Sequence, residues 1–348
     1  MATDVEFAVV GAGMAGTATA RALARAGREV VLFEQFHIGH RRGSSRGASR
    51  IFRFSYHDPY YVRMAIGALP LWRELEEETG RALITTTGGL DAGKTLDAHI
   101  AALRECGVDF EVMDGRAAGA RFPALSLPDT AEVLFQPDAG IARADDAVRA
   151  LGDSAASHGA QVRERTEVRS VRQRNGGVDV DAGDATYRAR AAIVTAGAWA
   201  RRLLAPTGID LPVTPTRETV AYFAIDNHAS IPSLVDWGEP LFYALTSPGQ
   251  GLKAGFHHSG PETDPRDEGS INDDIVARVS EHVARRYPGA DPDPIGAETC
   301  LYTNTPDEHF VLERRGDIVV GSACSGHGFK FAPLIGRRLA DLATRGTR

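Results

Sequence analysis

Val9-Val10-Gly11-Ala12-Gly13-Met14-Ala15-Gly16 is the stretch whose reading decides the fold of this chain. A short apolar run, Phe7 to Val10, leads into glycines at G-x-G-x-x-G spacing, and an alanine-rich helical pattern follows from Ala15 to Ala26, closed by Gly27. A second apolar run, Val30 to Phe33, then ends on Glu34. That order spells a βαβ unit. Gly11, Gly13 and Gly16 let the backbone approach a pyrophosphate, the helix N-terminus supplies oriented N–H donors, and Glu34 accepts from ribose hydroxyls. The acid favours an unphosphorylated ribose, so the expected dinucleotide is FAD or NAD rather than NADP. The competing reading is a glycine-rich turn in some other α/β domain.

The 348 residues, 43% of them hydrophobic, suffice for two domains with cores of their own. The net charge is −7 and the arginines are scattered, which argues against a nucleic-acid partner. Cys106, Cys300 and Cys324 lie far apart without metal-ligand spacing, so neither a disulfide framework nor a metal site is expected. No apolar stretch approaches the roughly 18 residues of a membrane span. The first strand begins within a few residues of Met1 and leaves no room for a signal peptide, giving a cytoplasmic expectation.

Further along, Arg41 to Arg53 is a Gly- and Ser-rich loop crowded with donors, suited to phosphate or carboxylate. Helical patterns run from Tyr60 to Glu78, ended by Gly80, over 95–106 and 143–157, and from Ile275 to Tyr287. Short alternating runs, Glu164 to Gln173, Gly177 to Val180 and Ala185 to Ala189, predict a meander that returns to a buried strand at Ala191. Strands separated by Pro and Gly turns are expected over 212–258, and an exposed loop over 259–273.

Of the 39 basic residues only Lys94, Lys253 and Lys330 are lysine. An ammonium is a compact charge that can shed its proton when desolvated, unlike a guanidinium. Lys94 sits in Asp-Ala-Gly-Lys-Thr, which reads as an exposed turn. Lys253 and Lys330 occupy apolar, glycine-flanked settings where burial calls for an anionic partner; the alternative is a lysine snorkelling from a strand edge.

Six motifs in order, Gly11 to Gly16, Gly43 to Arg53, Gly197-Ala198-Trp199, Gly251-Leu252-Lys253, Cys300-Leu301-Tyr302-Thr303-Asn304-Thr305-Pro306-Asp307 and Ser325-Gly326-His327-Gly328-Phe329-Lys330-Phe331, span nearly the whole chain. In this the sequence resembles the monomeric sarcosine oxidase and N-methyltryptophan oxidase family, of the D-amino-acid-oxidase-like flavoenzymes. The resemblance implies an α/β fold in which a Rossmann-like FAD-binding domain (1–80, 140–211 and 295–348) is interleaved with a mixed-sheet substrate domain (81–139 and 212–294). It implies a monomer that oxidises a secondary amino acid to an imine by hydride transfer to FAD, with O2 becoming H2O2.

The same resemblance assigns the residues. Cys300, in isolation a small buried hydrophobe, matches the cysteine that carries the flavin through its 8α-methyl group, while Cys324 is read as packing. Arg53 and Lys330 match the pair that holds the substrate carboxylate, and Lys253 the lysine that activates oxygen. His257, His327, Tyr56 and Tyr243 match pocket residues, the histidines being equally readable as structural hydrogen-bonders. Gly11, Gly13, Gly16, Glu34, Ser44, Ser45, Arg50, Val168, Cys300, Gly326, Gly328 and Lys330 fall to the cofactor. Physically, hydride transfer to flavin N5 builds negative charge over the pyrimidine edge. Lys330 and the N-terminus of a helix beginning near Ala332 are placed to stabilise it. Other readings are oxidation of a cyclic amine or imine carboxylate in a biosynthetic pathway, a dehydrogenase with another electron acceptor, and a non-catalytic nucleotide-binding protein.

Overall fold

The computed structural model describes residues 3–226 and 231–345. Residues 1–2, 227–230 and 346–348, parts of the expected segments 1–80, 212–294 and 295–348, lie outside the described residues. Among the described residues, two eight-stranded sheets and a three-stranded one make up a mixed α/β fold.

In the first sheet the strands Gln161–Arg163, Val30–Phe33, Thr3–Val10 and Ala185–Val194 lie side by side in parallel. Ile318–Ser322 continues that parallel array beyond the C-terminal half of Ala185–Val194. Side chains alternate along a strand, so one residue list serves two cores. Phe7 and Val9 face the helices Met14–Arg25, Ala144–Ser157 and Ala332–Thr344; Ala8 and Val10 face the antiparallel meander Val168–Arg174 and Gly177–Ala182. The meander departs from expectation in two places. Ala185–Val194 is one continuous ten-residue strand, and the expected run from Glu164 is broken at Arg165, whose φ of 52° turns the chain so that Thr166 N–H reaches the Glu34 carbonyl.

Pro59–Thr79 is the long helix read between Tyr60 and Glu78. Asp58 accepts from Tyr60 N–H at its start, proline occupies the first turn, and Gly80 in the left-handed conformation closes it.

The second sheet runs Ala290–Asn304, Thr214–Ile225, Gly251–Phe256, Phe242–Ser247, Ser233–Asp236, Gly89–Gly93, Glu132–Gln136 and Glu111–Asp114. One face carries Ala221, Phe223, Leu252, Ala254 and Phe256, with Phe242 and Leu234, and is covered by the helix Asp273–Arg286 through Ile275, Val279 and Val283. Those three lie one helical turn apart, and burying each is worth about 1.5–3 kcal/mol. The alternate residues Tyr222, Lys253, Tyr243 and Cys300 therefore point the other way, toward the first sheet. The expected segment boundary at 295 falls inside Ala290–Asn304, a fifteen-residue strand paired along its length with Thr214–Ile225. A small sheet of Arg50–Phe52, Gly140–Ala142 and Ile84–Thr86 ties together stretches that are distant in sequence.

Candidate active site

Between the two large sheets lies a cavity of ≈ 1130 Å³, lined at one end by Gly11, Gly13 and Glu34 and at the other by Tyr243, Lys253 and Cys300. At the first end, Gly16 faces the glycine turn rather than the cavity: a Cβ there would sit 1.8 Å from the Gly11 carbonyl oxygen, so only glycine lets helix and strand approach this closely. Ser45 Oγ accepts from Met14 N–H at 3.0 Å, docking the Gly43 to Arg53 loop on the helix N-terminus. Glu34 is buried and accepts from Ala12 N–H (2.8 Å) and Phe36 N–H (2.9 Å). Burial pushes its carboxyl up, against the pull of those two donors. Ser44, Arg50 and Val168 also line the cavity.

At the far end the turn Ser325-Gly326 bends the chain back under the second sheet. Gly326 has φ 75°, and a Cβ there would press to within 2.4 Å of Tyr302 and 2.5 Å of His257. Beyond it, Trp72 Nε1 donates to the Lys330 carbonyl at 2.7 Å and fixes the start of Ala332–Thr344. Lys330, 5% exposed, donates through Nζ to the Tyr56 hydroxyl (2.7 Å) and the His327 carbonyl (2.6 Å). Burial, then the Arg53 guanidinium, hold Lys330 well below the usual lysine range. His327 Nε2 lies 3.1 Å from the Glu308 carbonyl, which can only accept, so that nitrogen bears the proton and Nδ1 is free to accept from Tyr56 Oη at 3.3 Å. Burial and Lys330 keep this imidazole neutral, its pKa pushed down to about 3.

Arg53 stands beside Tyr56 with its guanidinium carbon 4.6 Å from that ring and 5.4 Å from Trp237. It is held by Asp91, an acid that sequence reasoning placed in an exposed turn. Asp91 is instead fully buried in Gly89–Gly93, pairing with Arg53 (3.2 Å) and accepting from Trp237 Nε1 (2.8 Å) and Gln136 Nε2 (2.9 Å). Two glycines around a single acid had disguised a buried strand. Lys94 is exposed, as expected.

On the second sheet's inner face Lys253 is 3% exposed. Burial, then Arg50, push its ammonium down to about 7, against Glu298. Cys300 is an unpaired thiol at the same wall; burial pushes it up, against Arg50 and Lys253. Arg50 is anchored through carbonyls of its own loop, donating to Ser49 (2.8 Å), Ser44 (3.0 Å) and Arg46. Tyr243, His257 and Gly328 line the cavity too. Cys324, read as packing, also reaches the cavity wall, and its Sγ accepts from Thr303 N–H at 3.3 Å.

A family profile described as FAD dependent oxidoreductase matches residues 6–342. The chain belongs to that family. This oxidoreductase is 32% identical over 366 residues to a monomeric sarcosine oxidase of Bacillus sp. (strain NS-129), covering 99% of this chain and 94% of the relative. To the peroxisomal sarcosine oxidase of Homo sapiens it is 35% identical over 370 residues, covering 97% and 92%. Among solved structures, NikD, an unusual amino acid oxidase essential for nikkomycin biosynthesis, superposes with a TM-score of 0.89 at 28% identity, covering 99% and 94%. L-proline dehydrogenase from P. horikoshii shares the fold, with a TM-score of 0.90 at 24% identity over 99% and 95%.

FAD is the cofactor of this family, and the residues present fit it: a tight glycine turn, where a Cβ on Gly11 would sit 2.8 Å from the Thr195 carbonyl oxygen and one on Gly16 1.8 Å from that of Gly11, a helix N-terminus at the cavity wall, and a buried acid beside it. Among the described residues, no helix of this oxidoreductase is long and apolar enough to cross a membrane.

Proposed function

We propose that this chain is a flavin-dependent amino-acid oxidase that converts a secondary amine bearing a carboxylate, N-methyl or cyclic, to an imine while O2 becomes H2O2. The observation that carries the reading is the convergence of Lys253, Lys330 and Arg53, from three distant stretches, on one cavity that also holds the glycine-rich turn. The names of its relatives, sarcosine oxidases, support the substrate class.

Gly11, Gly13, Glu34, Ser44, Ser45, Arg50, Val168, Gly326, Gly328 and Lys330 would hold FAD, with Gly16 packing the cradle and Cys300 the thiol to bond its 8α-methyl group. When bound, the flavin supplies a hydride acceptor for the carbon beside the amine nitrogen and a donor of two electrons to oxygen.

The chain's own residues do the rest. Arg53 and Lys330 take the carboxylate, fixing the α-carbon by two cations rather than one. Tyr56 Oη accepts from Lys330 and donates to His327 Nδ1, so the lysine's direction is set before substrate arrives. A substrate ammonium entering beside these cations is pushed to release its proton, which removes the need for a dedicated general base. Tyr243, His257 and His327 wall the site, and Lys253 presents positive charge toward developing negative charge on oxygen. An acyclic imine then hydrolyses in water to amine and aldehyde. The enzyme is read as a monomer whose FAD-binding part is built on the first sheet and whose substrate part is built on the second.

Two measurements check this. Peroxide release across sarcosine, larger N-methyl amino acids, proline, pipecolate and their imines should single out one class; release from none of them with FAD bound rejects the reading. Acid-precipitated protein should stay yellow, and Cys300→Ser should lose the colour to the supernatant. A colourless pellet from the unaltered protein removes the thioether.

A further inference from the structure

Lys253 does not stand alone on its wall. It lies opposite Tyr222 across one strand pair, and Glu298 lies opposite Val220 across the next. Residues two apart share a face of a sheet, so Lys253, Tyr222 and Glu298 are neighbours there. The Glu298 carboxylate meets three groups: it forms an ion pair with Arg46, accepts from the Tyr222 hydroxyl at 2.5 Å, and lies 3.8 Å from Lys253 Nζ. These partners come together around Gly47, where a Cβ would sit 3.1 Å from Arg50 Nη1, 3.4 Å from Glu298 and 3.5 Å from Lys253 Nζ.

The groups facing Lys253 are Arg50 and Arg46 from the loop, Cys300 and Glu298 from Ala290–Asn304, and Tyr222 from Thr214–Ile225. Among these described residues Glu298 alone is an acid. A buried ammonium next to two guanidinium groups sheds its proton unless a counter-charge is present. Arg46 and Tyr222 take the short contacts, which leaves Lys253 at ionic rather than hydrogen-bonding distance.

We propose that Glu298 is a positioning residue for the oxygen-dependent half of the reaction: it keeps Lys253 charged and in place, with Arg46 and Tyr222 competing for the same carboxylate. This rests on the reading of Lys253 as the oxygen-facing cation. A competition of this kind assigns opposite signs to its members. Removing Glu298's charge makes Lys253 easier to deprotonate; removing Arg46 takes away both a rival for the carboxylate and a repelling charge, and makes Lys253 harder to deprotonate.

The rarity of lysine gives a direct readout. Holoenzyme labelled with 13C at lysine Cε carries three such sites, Lys94, Lys253 and Lys330. Exposed Lys94 serves as internal reference, and the Lys253→Met spectrum assigns the resonance of interest. In Glu298→Gln the Lys253 titration midpoint should fall by about one pH unit or more. In Arg46→Met, and less so in Tyr222→Phe, it should rise. After anaerobic reduction by substrate, the pH above which reoxidation slows should move the same way in each variant.

An unmoved midpoint in Glu298→Gln overturns the proposal, as does a fall in Arg46→Met. If Glu298→Gln does not fold, the upward shifts in Arg46→Met and Tyr222→Phe still decide. The reading beneath fails separately: should Lys253→Met reoxidise as fast as the parent, the ion pair has no part in oxygen reduction, whatever the midpoints show.

Discussion

Lys253→Met should be reduced by substrate under nitrogen at close to the parent rate, yet reoxidise in air about 10²–10³-fold more slowly, the usual cost of deleting one preorganised charge from a site of developing charge. That factor corresponds to ~3–4 kcal/mol of barrier. Methionine matches the buried length of the lysine stem, so the change removes the charge with little loss of packing. Stopped-flow absorbance separates the two half-reactions; equal slowing of both, or of reduction alone, contradicts the assignment. The same side chain sets a pH dependence. Only the ammonium carries the charge, and burial together with Arg50 draws its pKa down to about 7 before any anion is bound. Reoxidation should therefore be fastest in acid and fall as pH rises through a midpoint at or above about 7, toward the rate of the methionine variant, which itself shows no such fall.

The residues that face the cavity were legible in sequence to different degrees, and the difference has a physical origin. Gly11, Gly13, Gly16 and Glu34 announce themselves because a βαβ unit ordered this way has few other uses. Lys253 and Lys330 stood out because the chain so seldom uses lysine, and both are buried on the cavity wall. Asp91 was missed because a strand that reads Gly-Leu-Asp-Ala-Gly from end to end lacks the β-branched and aromatic residues by which strands are read. Its burial is bought by Arg53, Trp237 and Gln136, none of them near it in sequence. Glu298 was missed for a related reason. After Ala290 the strand Ala290–Asn304 runs Asp, Pro, Asp and Pro, a turn-like composition, and the function of its acid exists only once strand pairing brings it near Lys253. A period-2 reading of 296 to 304 would have put Glu298, Cys300 and Tyr302 on one face, which is the signal available for it.

Removing one member of the carboxylate-binding pair should cost more than any other single change to substrate handling. Lys330→Met or Arg53→Met is expected to lower kcat/KM by about 10²–10³-fold, in line with the 2–5 kcal/mol lost when one partner of a buried charge pair is truncated. A structural defect would do the same, so the substrate must be varied too. Replacing the substrate carboxylate by a neutral carboxamide should cost the parent enzyme a similar factor and cost the variants far less, since the interaction is already gone. Equal losses in parent and variants would place the carboxylate elsewhere. Stability should not follow activity: Lys330 is a buried amine without an ion-pair partner among the described residues, so that burial disfavours its charged form, and its methionine replacement should leave Tm unchanged or raised. Because burial and Arg53 draw Lys330 well below its ordinary range and a bound carboxylate draws it back up, binding a carboxylate inhibitor should take up protons at pH values between the two midpoints. Calorimetry in buffers of different ionisation enthalpy reads that uptake directly, and Lys330→Met should abolish it. Asp91→Asn tests the anchor behind the pair. Arg53 keeps its charge but loses its ionic tether, so the expected loss is smaller, about tenfold, and falls on KM more than on kcat. A loss in Asp91→Asn as large as in Arg53→Met would mean that Arg53 serves the fold through Asp91 rather than the substrate.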